Sequence, residues 1–137
     1  MEGRFEVILL HLALLDHFLN GLAGSETLRR DVQELLIRDM DRSLRELGIG
    51  DMSIGKQMKK VGAGMLGRLN SYEAAIAADD ETKTTELVAA IIDRNIDFAG
   101  ESGSSHFARY FWKQLCSLNA IDTQAWSLTD CIYADLS

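Results

Sequence analysis

The sequence contains no proline, and with only two cysteines among 137 residues and aromatics at 7% it is thin in three kinds of constraint. Without proline nothing breaks a helix from inside, so every interruption has to come from glycine, capping residues or charge. Cys116 and Cys131 are too few and too far apart for a disulfide framework. Neither belongs to a CxxC pair, which fits a reducing compartment and reads both as small buried apolar residues rather than nucleophiles. Basic residues are also short: 14 Lys and Arg face 21 Asp and Glu, a formal net charge of -7. That balance argues against nonspecific binding to nucleic acid or to anionic membrane, since both need a basic surface to release counterions or meet lipid phosphates. An uninterrupted apolar run is missing too. The stretch from Phe5 to Leu19 is broken by Glu6, His11, Asp16 and His17, and no clean small-residue cleavage site follows, so it reads as neither membrane span nor signal peptide.

What is present is apolar residues at helical spacing, 47% of the chain, enough for one sizeable core and one domain over residues 1–137. Phe5, Ile8, Leu9, Leu12, Leu15 and Leu19 form a stripe on a first helix whose other side is nearly covered by Val7, Leu10, Leu14 and Phe18, which predicts a buried, central element. Gly21 and Gly24 end it. Ser25 reads as the N-cap of a second helix with Leu28, Val32, Leu35, Leu36, Met40, Leu44 and Leu47 on its buried face and Gly48 as its stop. Ser53 reads as the N-cap of a third, striped by Ile54, Met58, Val61, Met65, Leu69, Tyr72 and Ile76. Gly55, Gly62, Gly64 and Gly67 lie inside that helix, and the close approach of another helix is the expected compensation for them. A fourth helix carries Leu87, Val88, Ile91, Ile92 and Ile96 and ends near Gly100; a fifth runs from about His106 to Leu118. Trp126, Leu128, Ile132 and Tyr133 add a weaker helical pattern in the tail. The expectation is an all-α, compact bundle of five or six helices, with the turn between the second and third exposed.

Catalytic motifs are weak. Gly50 to Gln57 nearly fits a phosphate loop, but Gln57 stands where Ser or Thr would hold magnesium, and a helix rather than a strand precedes it. His11 and His17 lie on different helix faces and His106 is remote, so no metal-site spacing arises. Ser104, Ser105 and His106 are sequence neighbours without triad geometry, and Ser105 reads as a helix cap. Asp39 and Asp41 point to different sides of the second helix and are expected to pair with nearby arginines. No enzyme, metal or cofactor signature remains. Charge, by contrast, is unevenly spread. Between Met52 and Tyr72 no acidic residue occurs, while Lys56, Lys59 and Lys60 share one polar face of the third helix with Arg68 two turns beyond. Alone such a face is solvated surface; with a partner it meets a protein or membrane headgroups.

The run from Asp39 to Lys56, which contains Asp41, Arg42, Gly48, Gly50, Asp51, Ser53 and Gly55, resembles the central motif of the ubiquinol-cytochrome c chaperone family. The likeness continues through Lys59, Lys60, Gly67, Arg68, Leu69, Tyr72 and Ala75 and reaches back to Gly3, Arg4, Phe5 and Glu6. It implies a helical, non-enzymatic protein that helps newly made cytochrome b enter the bc1 complex, with cytochrome b or another bc1 subunit as partner and room for a second assembly factor. The expected binding surface is a groove beside the third helix rimmed by Asp51, Lys56, Lys59, Lys60 and Arg68. The rival expectation is a carrier enclosing a lipid or quinone between the first and third helices. No Arg- and Ser-rich presequence is visible, so a bacterial cytoplasmic location, peripheral to the inner membrane, is expected ahead of the mitochondrial matrix.

Overall fold

The computed structural model describes residues 2–96 and 103–123. Among them are five helices and no strand: α1 (Glu2–Asn20), α2 (Glu26–Glu46), α3 (Asp51–Ala77), α4 (Glu81–Asn95) and α5 (Gly103–Asn119). The expected tail helix with Trp126, Leu128, Ile132 and Tyr133, the end of the fourth helix near Gly100, and Cys131 lie outside the described residues.

The all-round apolar pattern of α1 has the predicted consequence, since this helix touches each of the other four. One side places Leu10, Ala13 and Leu14 in the main core with Tyr72 and Ala75 of α3, Val88, Ile91 and Ile92 of α4, and Ala108, Phe111 and Leu115 of α5. The other sends Leu9 and Leu12 against Met65, with Val32, Leu36 and Ile37 of α2 partly covering them. Burying these branched side chains supplies the dominant favourable term of folding.

Helix α2 departs from expectation: none of its residues is fully buried. Leu35 and Leu47 are 62% and 60% exposed. Among the described residues it packs on one side only, so its apolar face is shared between the small second cluster and solvent.

The capping chemistry also differs from the sequence reading at the serines. Ser25 stands at the N-cap of α2 but its hydroxyl donates backwards to the Leu19 and Leu22 carbonyls, tying off the end of α1 instead. Helix α3 starts earlier than predicted, with Gly50 as N-cap, which puts Ser53 inside its first turn, and Ser105 likewise lies within α5. Asp80, by contrast, caps α4 by accepting the Lys83 amide at 2.8 Å. The buried Thr84 hydroxyl donates to the Ala75 carbonyl at 2.8 Å and closes the α3–α4 turn.

The glycines of α3 are not sites of close helix approach. A β-carbon on Gly55, Gly62 or Gly67 would meet nothing within 4 Å, while one on Gly64 would meet the Arg68 guanidinium at 2.8 Å. Gly64 therefore makes room for an arginine within its own helix, and the other three leave the helix softer than alanine would. Gly62→Ala and Gly67→Ala are each expected to raise stability by about 1 kcal/mol in urea unfolding. A loss in either variant would show that the backbone there needs glycine.

A groove between three helices as the candidate site

Helices α1 and α2 run antiparallel from the Gly21–Gly24 turn, and their separation is set at one end only. Near the turn, Asp16 receives two bonds from Arg29, at 3.1 and 2.8 Å, and a third from Gln33 at 3.1 Å. The carboxylate bond is the leading reason the Arg29 guanidinium is held even more firmly protonated than usual. No such pin joins the far ends among the described residues. Arg4, Phe5 and Ile8 of α1, Met40 and Leu44 of α2 with its C-cap Leu47, and Val61 of α3 face one another across a groove of about 560 Å³. Its wall is apolar, with Arg4, Asp39 and Glu46 supplying charge around it. The groove opens to solvent rather than enclosing a ligand, as the exposure of Leu47 (60%) and Ile8 (39%) requires.

The groove wall is braced from behind. Glu6, one residue after Phe5, is buried at 3% exposure and ion-paired with Arg68. Arg68 also donates to Asn95 Oδ1 at 2.8 Å and lies over the Phe5 ring at 5.8 Å from its centroid. The Asn95 amide is oriented by its own bond to the Ile91 carbonyl at 2.7 Å. Arg68, expected at a polar rim, is thus an internal strut joining α1, α3 and α4. In the sequence Glu6 reads as an interruption of the apolar run and as part of the block from Gly3 to Glu6, not as a buried ion-pair partner; only the arginine brought to it by folding makes its burial tolerable.

A second device holds the α2–α3 hairpin. Gly48 takes a left-handed conformation (φ 82°), and the amides of Gly48 and Ile49 bond back to the Arg45 and Leu44 carbonyls at 3.0 and 3.3 Å, a Schellman closure that only glycine enters without strain. Across this turn Arg45 bridges Asp41 at 2.9 Å and Asp51 at 2.7 Å. Asp41 pairs as expected, Asp51 proves to be a staple of the turn, and Gly50 supplies the extended cap. Arg42 is exposed and Gly55 lies in the first turns of α3. Arg45, the centre of this arrangement, was legible only as one of several arginines at helical spacing.

Lys56, Lys59 and Lys60 are exposed, and none forms an ion pair among the described residues. By helical periodicity they occupy the side of α3 opposite Ile54, Val61 and Met65, so they do not line the groove. The phosphate-loop-like run is helical from Asp51 onward. His11 bonds the Tyr110 hydroxyl at 2.8 Å and His17 bonds Asn119 at 2.9 Å, so both histidines fasten α1 to α5. Cys116 is exposed on α5, not buried as expected. No group of three candidate metal ligands occurs among the described residues.

Among the described residues these elements form a helical bundle with an open apolar groove backed by a buried ion pair. The chain belongs to the ubiquinol-cytochrome C chaperone family, which it matches over residues 1–131. It is also similar to the crystal structure of the Cbp3 homolog from Brucella abortus, at 32% identity and a TM-score of 0.75 over 90% of this chain and 68% of that one. No curated protein matches it.

Proposed function

We propose that the chain is a non-enzymatic assembly chaperone of the ubiquinol-cytochrome c reductase (bc1) complex, holding an apolar segment of newly made cytochrome b, or of another subunit, in the groove between α1, α2 and α3. The observation that carries this reading is the groove itself, which is apolar, open and walled by about two turns of α2 from Met40 to Leu47. Such a trough suits an apolar helix face with anchors at three- and four-residue spacing. The enclosed carrier of a lipid or quinone receives no comparable support, because an open trough leaves most of a small ligand in water. Of the partner-binding residues expected from sequence, Lys56, Lys59 and Lys60 remain a contact surface, whereas Asp51 and Arg68 act by holding the hairpin and the groove wall. The work is assigned to the cytoplasmic side of a bacterial inner membrane. Among the described residues no helix is long and apolar enough to cross a membrane.

The test is a pull-down from solubilised membranes of the native host with wild type and a Leu44→Glu, Leu47→Glu double variant. Both positions lie on the partly exposed face of α2, so the variant is expected to fold. Wild type should capture cytochrome b, and the variant at least about tenfold less, since a charge buried against an apolar client forfeits more than 1.4 kcal/mol. Undiminished capture by the folded variant, or capture of an unrelated protein in place of a bc1 subunit, would refute the assignment.

A further inference from the structure

The outer face of α3 plays no part in the groove, the core or the ion pairs, yet it has its own composition. Alongside Lys56, Lys59 and Lys60, helical periodicity places Met52 and Leu66, which are 99% and 61% exposed. Between Met52 and Arg68 this helix carries no acidic residue, in a chain whose net charge is -7. Two large apolar side chains, one fully and one mostly in water, thus stand within a strip of lysines that form no ion pair among the described residues.

We propose that this face of α3 docks on an anionic lipid surface, with the lysines at the headgroups and Met52 and Leu66 inserted just below them. Charge complementarity selects the occupant. An acidic protein is repelled by a bilayer bearing anionic lipid unless it turns a local basic strip towards it, and lysine stems reach the headgroup layer while their apolar parts cover the boundary. Nucleic acid fits the same strip less well, because the face has no aromatic ring or arginine on which a base could stack, and exposed Met and Leu gain nothing from a phosphate backbone. The arrangement leaves the groove unobstructed, since the strip and the groove use opposite sides of α3. A chain resting on lipid through its lysines keeps the groove free for an apolar segment that is leaving or entering the bilayer. The inference therefore extends the chaperone reading by supplying its location, but lipid docking itself requires no client.

The experiment is flotation of the purified chain with vesicles of phosphatidylcholine alone and of an equimolar mixture of phosphatidylcholine and phosphatidylglycerol, at low and high salt. Wild type is expected to float with the anionic vesicles at low salt and to stay behind with the neutral ones. Lys56→Glu, Lys60→Glu should lose at least about tenfold in partitioning, on the order of a fivefold factor for each lysine removed and more for reversal. Met52→Ser, Leu66→Ser should bind more weakly and become fully salt-reversible. All four positions are exposed, and an unchanged helical circular dichroism spectrum confirms that the variants are folded. Equal binding to neutral vesicles, full binding by the folded charge-reversed variant, or displacement of the protein from anionic vesicles by a low excess of single-stranded RNA would overturn the proposal. Vesicle binding without cytochrome b capture would sink the chaperone reading and leave this one standing; capture in detergent without vesicle binding would do the reverse.

Discussion

Arg68→Ala is expected to lower the free energy of unfolding by about 3–5 kcal/mol, the range for removing one partner of a buried ion pair. The size follows from asymmetric burial. The Glu6 side chain is only 2% exposed, whereas Arg68 retains 24%. Removing the arginine leaves the carboxylate inside with its main countercharge gone, and also takes the guanidinium from the Phe5 ring and from Asn95. Removing both charges should hurt far less. Glu6→Leu with Arg68→Met replaces the pair by apolar groups of similar length, and such replacements are often neutral or better. Urea unfolding of the two single variants and the double one closes a thermodynamic cycle, and a strong positive coupling is the expected result. A cost below about 1 kcal/mol for Arg68→Ala would place the pair among solvent-screened surface bridges and remove its claim to brace the groove. Because Phe5 forms the groove wall, Arg68→Ala should also weaken client capture at temperatures where the variant remains folded.

How much of this could be read from the chain is clearest in α1 and α5. The apolar residues of α1 cover its whole circumference, which fixes a central place in a bundle, and Phe111 and Leu115 sit on the predicted face of α5 and are buried. Periodicity is local, so it survives without knowledge of partners. The same signal misjudged α2. Its stripe is as regular as any other, but how deep a stripe is buried depends on whether a further layer covers it, and among the described residues none does. Leu35 and Leu47 therefore keep most of their surface in water. The groove exists for that reason.

The site residues divide along the same line. Gly48 was legible because a left-handed C-cap is a backbone requirement written in one residue. Ser25 and Ser53 were misread because a serine before an apolar run offers a cap only if the chain enters the helix there. The chain reaches α3 one turn earlier through Gly50, and the Ser25 hydroxyl finds carbonyls at the end of α1. Glu6 with Arg68 and Arg45 with Asp51 could not be paired from sequence, since both unions depend on how helices meet or how a turn folds back. The lysine strip was visible as charge, but its position opposite the groove follows from α1 and α2 both packing on the far side of α3.

Phe111→Ala is expected to cost about 3–5 kcal/mol, the range for deleting a buried aromatic ring, and to unfold the protein without a change in the denaturant slope. Phe111 is fully buried and stacks on Tyr72 with ring centroids 5.4 Å apart and planes 21° from parallel. Its loss removes core volume and the stacking partner together. Tyr72→Phe should behave in the opposite way. The Tyr72 hydroxyl is buried and has no hydrogen-bond partner among the described residues, so its removal spares an unsatisfied polar group while keeping the ring. A change between zero and about 1 kcal/mol in favour of the variant is expected at neutral pH. The two proteins then diverge in alkali. Burial first, and the Glu6 carboxylate second, push the Tyr72 pKa above the ordinary value of 10, against a smaller opposing effect of Arg68. Above that pH the unfolded chain releases a proton that the folded one keeps, so wild-type stability falls by up to about 1.4 kcal/mol per pH unit from this group, a slope the phenylalanine variant lacks. Urea unfolding at neutral and alkaline pH, compared between the two proteins, isolates that slope from the other tyrosines, which both retain. If Tyr72→Phe instead destabilises by more than about 1 kcal/mol at neutral pH, the hydroxyl holds a buried water between itself and Glu6, and the ion pair behind the groove belongs to a larger polar network.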